Sequence, residues 1–433
     1  MNTEDHNTRH EPERPKKKPH RQRQNPIEAA ITTWHGALAP HVKNRHDLGH
    51  LIAQAPKRWT VYGPLVLLPT GSFTSQAWRD ILEGSQSAMP ETHDEGHVTS
   101  DGQALLWEAI LAQIPGSPAT KLTHLAVNEG IPLHAKTGEE EQEAGSRENI
   151  LRSPSGLRML HGDFGPASPP ASGDGDEFAR AFWISTKQNG ITQVWAPRWT
   201  MFSRGNITEK TRLLRFHQGD DDDGGAHACP VAVDLYAGIG YFAFCYAALG
   251  HRVICWELNP WSVEGLRRGA EANGWRVRVI VPSDDGVADD VLRDVLAGED
   301  RIVVFLEDNA RAAGRIRRLD ELSGNGALRM RDVAHVNCGL LPSCRASWET
   351  AWEIVARTPR AWVHLHENVG SADIEGRKGE IEGWFAERAG REACVCVEHV
   401  ELVKTFAPDV WHCVFDLRVW RDVDARQIGN NIT

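Results

Sequence analysis

The chain of 433 residues lacks any run of about 18 or more apolar residues, the length that a membrane-spanning helix needs, so no membrane partner is predicted. Its first 24 residues contain no apolar stretch, and we expect no secretory signal there. Cysteine is scarce, with eight residues in all. The only close pair, Cys394 and Cys396, has one residue between its members, a spacing that does not suit zinc. We therefore predict no metal site and a reducing, cytoplasmic location.

An excess of positive charge is also missing, because the net charge is −11, and the total alone argues against a nucleic-acid partner. The basic residues are nevertheless concentrated in two places. Six lie between Arg14 and Arg23, and a second group consists of Arg311, Arg315, Arg317 and Arg318. Local patches, and not the total charge, decide whether a protein contacts phosphates. Two interpretations remain open for both groups: a solvated surface, or contact with RNA.

Composition divides the chain into regions, and its 41% hydrophobic content is enough for a substantial core. Residues 1–25 are charged and proline-rich, which predicts a disordered basic tail. Residues 26–217 contain a predicted helix at 27–38 and several short strands, and we expect a smaller N-terminal α+β region there. Residues 218–229 are an acidic linker that precedes a second domain at residues 230–433.

Strand-like and helical segments alternate in that second domain, which predicts a doubly wound, mostly parallel α/β sheet of the Rossmann type. Helices are expected to begin at about Tyr241 and at Trp261. Strands are expected within residues 231–240, 251–260, 277–281, 301–309, 333–340, 361–369, 394–403 and 411–420.

The most informative segment is VAVDLYAGIGYF at residues 231–242, where an apolar strand ends in Asp234 and a turn with Gly238 and Gly240 follows. A dinucleotide site uses G-x-G-x-x-G at this turn, but only two glycines are present, and the Asp234 carboxylate would repel a pyrophosphate. The same carboxylate suits the cationic amino group of S-adenosylmethionine, which has no phosphates. A plain strand–turn–helix without a ligand is the third interpretation.

Two further strand ends favour a ligand site. Glu257 lies at a strand tip 23 residues after Asp234, close to the spacing at which a carboxylate accepts hydrogen bonds from ribose hydroxyls. Asp308 and Asn309 end another strand, at the edge where open α/β sheets bind ligands. Three polar strand ends in register favour an adenosyl ligand over a plain turn.

Several segments taken together resemble one protein family. They are DLYAGIGYF (234–242), WELNP (256–260), HVNCGLLPSC (335–344), HLHENV (364–369), GPLVLLP (63–69), LAVN (125–128), RSPSGLRMLHGDFGP (152–166), QNGITQVWAPRWTMFSRGNITEK (188–210) and VKTFAPDVWHCVFDL (403–417). These segments resemble the tRNA wybutosine-synthesizing enzyme 2 family, which is related to the tRNA guanine-37 N1-methyltransferases. The resemblance extends over roughly residues 50 to 420.

This resemblance implies a fold and a reaction. Family members bind S-adenosylmethionine on a class I methyltransferase-like fold, here residues 230–433 as the catalytic domain. They transfer its 3-amino-3-carboxypropyl group to C7 of 4-demethylwyosine at position 37 of tRNA-Phe. S-adenosylmethionine is thus the expected co-substrate, and the anticodon loop of tRNA-Phe the expected partner.

The resemblance also implies site residues. Besides Asp234 and Gly238 of the turn, the expected ligand-binding residues are Ser203, Lys210, Glu257, Asp308 and Asn309. Arg204 and Asn337 are expected near the reacting centre. Lys210 is suited to pair with the ligand's carboxylate, and Ser203 to donate a hydrogen bond to it. An alternative is that Asn206 or Thr208 caps a helix that opens at Glu209.

The loop NCGLLPS at residues 337–343 bears on which group is transferred. The related N1-methyltransferases resemble this loop but have a shorter Asn-Leu-Pro form, so two further residues would reshape the pocket for the target base. This favours aminocarboxypropyl transfer, with guanine-37 N1-methylation and a non-catalytic tRNA-binding module as alternatives. Nearby proton-handling candidates are His364, His366, Glu367 and Asn368. His366 is more often structural than catalytic when it lies on a predicted strand, and it is not included among the predicted catalytic residues.

Overall fold

The computed structural model describes seven stretches of the chain: residues 24–83, 98–117, 120–128, 157–167, 175–216, 230–324 and 332–421. The predicted basic tail, apart from its last two residues, and the predicted linker at 218–229 lie outside the described residues. The division between residues 26–217 and 230–433 therefore stays a prediction. Within the described stretches, no helix is long and apolar enough to cross a membrane.

Contacts between residues divide the chain into two compact units, of which the first comprises Met1–Arg58 and Ser72–Pro115. Its described secondary structure is helical: α1 (Pro26–Ala37), α2 (Pro40–Lys43), α3 (Leu48–Ala53), α4 (Gln76–Glu83) and α5 (Ser100–Gln113). The first helix is the one expected at residues 27–38. It begins where Asn25 caps the Ile27 amide and proline occupies the first turn, a combination typical of helix starts.

Aromatic side chains form the centre of this first unit. The rings of Trp34 and Trp78 stack at 6.1 Å between centroids. Phe73 meets Trp78 edge-on at 4.7 Å and Trp107 at 5.2 Å. Because large aromatic rings dominate the apolar area that small cores bury, these contacts hold the helices together.

The second unit comprises Trp59–Gly71 and Gly116–Thr433. It includes a four-stranded sheet, in the order β1-β2-β3-β4, and a two-stranded antiparallel hairpin of β5 and β6. The segments FWIST (182–186) and ITQVWAP (191–197) indicate this pair of strands in the sequence. The bounds are β1 (Thr60–Tyr62), β2 (Leu65–Leu68), β3 (His124–Val127), β4 (Arg158–His161), β5 (Ile184–Gln188), β6 (Ile191–Trp195), α6 (Gly175–Arg180) and α7 (Ile207–Leu213).

The same unit contains a sheet of eight strands in the order β13-β14-β12-β11-β7-β8-β10-β9. The six strands from β12 to β9 in this order pair in parallel, and β14 runs antiparallel to both of its neighbours, β12 and β13. The strands are β7 (Val231–Asp234), β8 (Arg252–Trp256), β9 (Val277–Ile280), β10 (Ile302–Phe305), β11 (Val333–Cys338), β12 (Arg360–Gly370), β13 (Cys394–Ala407) and β14 (Val410–Trp420).

Helices connect these strands. They are α8 (Ala243–Ala248), α9 (Pro260–Ala272), α10 (Asp289–Ala297), α11 (Ala312–Ser323), α12 (Trp348–Val355) and α13 (Ile374–Ala389). Strands β7, β8 and β10 are buried at every position, as expected for parallel strands covered by helices on both faces. The doubly wound α/β fold class predicted from the sequence is therefore confirmed. The first of these helices begins two residues later than the expected Tyr241, because a glycine turn extends to that point.

The strand order reverses direction at β7. Its successor β8 pairs on one side of it, whereas β11 pairs on the other. Ligands of open α/β folds bind at such a switch point, in the crevice outside the carboxyl ends of the strands. Asp234 at the end of β7 lies opposite Asn337 of β11, so both predicted residues flank the switch point.

Candidate functional site at the carboxyl edge of the large sheet

The turn after β7 is built around two glycines with positive φ angles, 53° at Gly238 and 88° at Gly240. A Cβ added to Gly240 would lie 2.6 Å from the ring of Phe244, so no larger residue fits there. A Cβ at Gly238 would meet the Tyr241 ring at 3.1 Å. The turn is therefore restricted to glycine by both conformation and space, and it brings backbone amides to the edge of the sheet.

Glu257 fastens the end of β8 to this turn. Its Oε2 accepts a hydrogen bond of 2.8 Å from the Gly238 amide, and its Oε1 accepts one of 2.8 Å from the Asn259 amide. Burial raises the pKa of this carboxyl group, while hydrogen bonds from the backbone amides of Asn259, Gly238 and Leu258 oppose the shift. Each carboxylate oxygen has a second lone pair, so Glu257 can hold the turn and still accept ligand hydroxyls.

Tyr241 connects the turn to the segment FSRGNITEK. Its hydroxyl accepts a hydrogen bond of 3.2 Å from the Ser203 amide and donates one to the Met201 carbonyl. Its ring lies 5.2 Å from Nζ of Lys210. Tyr241 belongs to the motif that identified the turn, but its role in joining two distant segments was not predicted.

Lys210 is a buried cation, with 4% of its surface exposed. Its ammonium group donates to Gln188 and Gln193, and it lies 5.0 Å from the ring of Phe202. No carboxylate of the described residues forms an ion pair with it. Burial lowers the pKa of Lys210 to about 8, with a small opposing contribution from Cys245. A buried charge that only neutral groups satisfy favours an anionic ligand.

Ser203 and Arg204 lie at the start of α7. The Ser203 hydroxyl donates to Asn206 Oδ1 at 3.3 Å, and Nζ of Lys404 lies 3.4 Å from the same hydroxyl. Asn206 occupies the N-cap position of this helix, as expected, but the helix begins at Ile207 rather than Glu209, and the Asn206 side chain makes no capping hydrogen bond. Thr208 lies inside the helix and is not its cap. Arg204 is exposed and donates to the Thr60 hydroxyl at 2.8 Å.

Asp308 and Asn309 follow β10. The Asn309 amide donates a hydrogen bond of 2.8 Å to the Leu235 carbonyl, which attaches this strand end to the turn after β7. Asp308 is exposed, and its Oδ1 accepts from the Ala310 amide at 2.8 Å. Their neighbour Glu307 is occupied by a bidentate ion pair of 3.0 Å with Arg315. The structure therefore leaves Asp308, rather than Glu307, available to a ligand.

Asp234 and Asn337 form a buried pair at the switch point. The side-chain amide of Asn337 donates to Asp234 Oδ1 at 3.0 Å, and the backbone amide of Tyr236 donates to the same oxygen at 3.2 Å. Burial raises the pKa of Asp234 to about 6, against the effect of these hydrogen bonds. Their exposed fractions are 0% and 1%, so each is placed to orient neighbouring groups at the edge.

Hydrogen bonds to the buried carboxylate of Glu367, which is 1% exposed, hold the end of the NCGLLPS loop. Glu367 Oε1 accepts from the Ser343 hydroxyl at 3.0 Å and from the Cys344 amide at 3.1 Å. A Cβ added to Gly339 would approach Nδ2 of Asn337 to 3.1 Å. Gly339 therefore makes room for the side-chain amide of Asn337, a role that the sequence did not reveal.

The arginine cluster that follows Asp308 is largely neutralised. Arg315, Arg317 and Arg318 form ion pairs with acidic residues of the same unit, namely Glu307, Glu353, Asp289 and Glu321. This favours the surface interpretation for these three arginines. Arg311 is exposed beside Asp308.

The structure thus connects most of the predicted residues through one turn. Ser203 and Lys210 reach it through Tyr241, and Glu257 binds it directly. Asn309 and Asn337 join it through the Leu235 carbonyl and Asp234. Arg204 makes its described contact elsewhere, with Thr60. The assignment of individual residues to a ligand remains a prediction.

A switch point lined by polar strand ends, on a sheet of this order, defines a class I methyltransferase-like protein. No family model matches the chain. The fold is similar to two solved structures from Pyrococcus horikoshii. One is a putative transferase, 17% identical with a TM-score of 0.51, and the other is TYW2 in complex with MeSAdo, 16% identical with a TM-score of 0.50. Each likeness covers 92% of this chain and 100% of the solved chain.

Curated relatives identify the family. The chain is 36% identical to tRNA wybutosine-synthesizing protein 2 of Schizosaccharomyces pombe, over 84% of this chain and 72% of the relative. It is 31% identical to the Saccharomyces cerevisiae protein of the same name, over 86% of this chain and 76% of the relative. The chain belongs to the tRNA wybutosine-synthesizing protein 2 family, which confirms the resemblance noted in its sequence.

Proposed function

We propose that the protein transfers the 3-amino-3-carboxypropyl group of S-adenosylmethionine to C7 of 4-demethylwyosine at position 37 of tRNA-Phe. The single observation that carries this proposal, beyond family membership, is the buried ammonium group of Lys210 beside the turn at the switch point. This ammonium group would hold the carboxylate of the aminocarboxypropyl group, the part of S-adenosylmethionine that is transferred.

The residues present fit S-adenosylmethionine. Glu257 retains acceptor capacity for ribose hydroxyls, and Asp308 offers an exposed carboxylate at the next strand end. Lys210 and Ser203 would hold the carboxylate, a pairing of a buried cation with an anion. The MeSAdo bound to the Pyrococcus horikoshii protein is in keeping with this type of ligand. When bound, S-adenosylmethionine supplies an electrophilic carbon next to its sulfonium group.

Transfer forms a carbon–carbon bond at C7, breaks a carbon–sulfur bond, releases the proton of C7 and leaves methylthioadenosine. The protein has to choose among several electrophilic carbons, and it does so by orientation. The Lys210 ammonium would fix one end of the transferred group, and Glu257 would fix the nucleoside. Asn337, the first residue of the NCGLLPS loop, is held by its hydrogen bond to Asp234 and would orient the target base at that loop.

The product assay is the direct test. With S-adenosylmethionine and tRNA-Phe carrying 4-demethylwyosine, we expect methylthioadenosine and a base that gains the aminocarboxypropyl group, both identified by chromatography and mass spectrometry. tRNA-Phe with unmodified guanosine at position 37 serves as the control and should give no product. S-adenosylhomocysteine as the only nucleoside product would contradict the proposal and favour guanine-37 N1-methylation.

Glu257→Ala should weaken the binding of methylthioadenosine by on the order of 1–3 kcal/mol, because two ribose hydrogen bonds to a carboxylate are lost. Isothermal titration calorimetry measures this. Glu299→Ala, which removes an acid whose side chain is 85% exposed, is the matched control and should leave the affinity unchanged. Unchanged affinity in Glu257→Ala would remove this residue from the site.

We also propose that the tRNA contact lies at the anticodon loop and that the protein acts in the cytoplasm. The exposed side chains of Arg204 and Arg311 lie beside predicted ligand residues and supply positive charge there. The seven cysteines within the described stretches are free thiols, which supports a reducing compartment. Filter binding of tRNA-Phe and of its isolated anticodon arm tests the first point.

A further inference from the structure

Four buried polar side chains form a continuous hydrogen-bond chain across four adjacent strands. It begins at Asp234 of β7, which accepts from Asn337 of β11 at 3.0 Å. Oδ1 of Asn337 lies 3.3 Å from Nε2 of His366 on β12, and Nδ1 of His366 lies 3.0 Å from Nε2 of His412 on β14. All four side chains are exposed by 1% or less.

The carboxylate at one end sets the direction of every bond in this chain. An ionised Asp234 can only accept, so the NH2 group of Asn337 has to face it. Oδ1 of Asn337 then faces His366, whose Nε2 must carry the proton. Burial and the neighbouring His412 hold the pKa of His366 well below its usual range, so its ring is neutral and Nδ1 is an acceptor. His412, whose pKa burial lowers to about 4, therefore donates from Nε2.

Asn337 depends on this chain for its orientation. Its Oδ1 has His366 as its hydrogen-bond partner among the described residues, and Gly339 leaves just enough space beside Nδ2. Without the His366 donor, the carbonyl end of the amide would be buried and unsatisfied, and rotation of the amide would break its bond to Asp234.

We propose that His366 and His412 are positioning residues, which act through Asn337 to fix the edge of the target-base pocket during transfer. This inference rests on the proposed function. Neither histidine needs to touch the substrate, and neither gives up a proton. The effect passes from β14 through β12 to β11 by hydrogen bonds alone.

A mutant cycle separates positioning from general destabilisation. His366→Leu removes the donor and should lower the single-turnover transfer rate, at saturating S-adenosylmethionine and tRNA, by about 10-fold or more. His366→Gln keeps an N–H donor near the place of Nε2 and should retain the rate within about 3-fold. In an Asn337→Ala background, His366→Leu should have no further effect on the rate. An equal loss in both backgrounds would overturn the proposal.

A matched control tests whether any buried histidine of the sheet would behave in this way. His335 lies two residues before Asn337 on the same strand, is also 1% exposed, and is hydrogen-bonded to His364 at 3.0 Å rather than to Asn337. His335→Gln should leave the transfer rate unchanged. A loss as large as that of His366→Leu would contradict a specific role for the chain.

A second measurement does not depend on activity. In protein labelled with 15N-histidine, resonances assigned by comparison with His366→Gln and His412→Gln should show both rings neutral with the proton on Nε2. A proton on Nδ1 of His366 would overturn the inference whatever reaction the protein catalyses. If the wild-type protein instead produced S-adenosylhomocysteine, the proposed function would fail, and the same cycle would be measured on that product.

Discussion

Asp234→Asn is expected to stabilise the ligand-free protein by up to about 3 kcal/mol at pH 8, an unusual direction for a substitution at a fully buried site. Burial raises the pKa of Asp234 from 3.8 to about 6. A difference of roughly 2 units corresponds to about 3 kcal/mol of unfavourable free energy once the folded protein has to hold the charged form. Asparagine is neutral, and its Oδ1 can still accept from Asn337 and from the backbone amide of Tyr236. Its Nδ2 would replace Oδ2, a buried oxygen that has no hydrogen-bond partner among the described residues, and this offsets part of the gain.

The pH dependence of this effect follows from the raised pKa. The folded state keeps its proton longer than the unfolded state does, so the contribution of Asp234 to stability is complete below pH 3.8 and is lost as the pH rises through about 6. The advantage of the variant should therefore shrink to less than about 1 kcal/mol at pH 4. Urea unfolding of both proteins at pH 4, 6 and 8 measures it.

Asp308→Asn is the control for this series. Asp308 lies at another strand end but is exposed and caps a short helical turn, a position that asparagine occupies equally well. Its substitution should change the unfolding free energy by less than about 0.5 kcal/mol at each pH. If Asp234→Asn instead destabilises the protein equally at all three pH values, the contacts of the carboxylate matter more to stability than the cost of burying its charge.

Asp234→Asn also tests the ligand-binding role predicted for Asp234. The carboxylate was expected to face the amino group of S-adenosylmethionine, whereas its described partners are Asn337 and the Tyr236 amide. If Asp234→Asn retains the wild-type affinity for S-adenosylmethionine, the carboxylate acts on the protein and not on the ligand. A loss of affinity together with a gain in stability would be the trade-off that functional sites commonly show.

The sheet could be predicted from the sequence because its signals are local. Strands such as β7 and β10 are uninterrupted apolar runs, which end at the polar residues that were expected to mark their carboxyl ends. The start of α8 was predicted two residues too early, because the positive φ angles of Gly238 and Gly240 that form the turn are not visible in a hydrophobic pattern. The local hydrophobic pattern therefore predicted the strands better than the turns.

The connections within the site were beyond prediction from a single sequence. The spacing of Glu257 from Asp234 suggested a ribose ligand, but not that its two oxygens already hold the Gly238 and Asn259 amides. Such bonds join residues from different strands, and their geometry depends on the packing of the whole sheet. The involvement of His366 is of the same kind, since its bond to Asn337 links two strands through side chains that look structural when considered singly.

Lys210→Met is expected to show which end of the ligand this residue binds. S-adenosylmethionine carries a carboxylate and methylthioadenosine does not. The loss of the ammonium group should therefore weaken the binding of S-adenosylmethionine by about 10- to 100-fold. The affinity for methylthioadenosine should stay the same within about 2-fold. Isothermal titration calorimetry with both ligands measures the two values on one preparation of each protein. Glu257→Ala is the matched control, because loss of the ribose contacts should weaken both ligands alike.

Titration distinguishes the charge of Lys210 from its bulk. Burial lowers the pKa of Lys210 to about 8, so the wild-type protein should bind S-adenosylmethionine more weakly as the pH rises above 8 and the ammonium group loses its proton. The amino group of the ligand titrates in the same range, but it does so with both proteins. The ratio of wild-type to Lys210→Met affinity should therefore fall toward one at high pH. A ratio that is independent of pH, or an equal loss for both ligands, would show that Lys210 supports the Gln193 and Tyr241 contacts without pairing with the carboxylate.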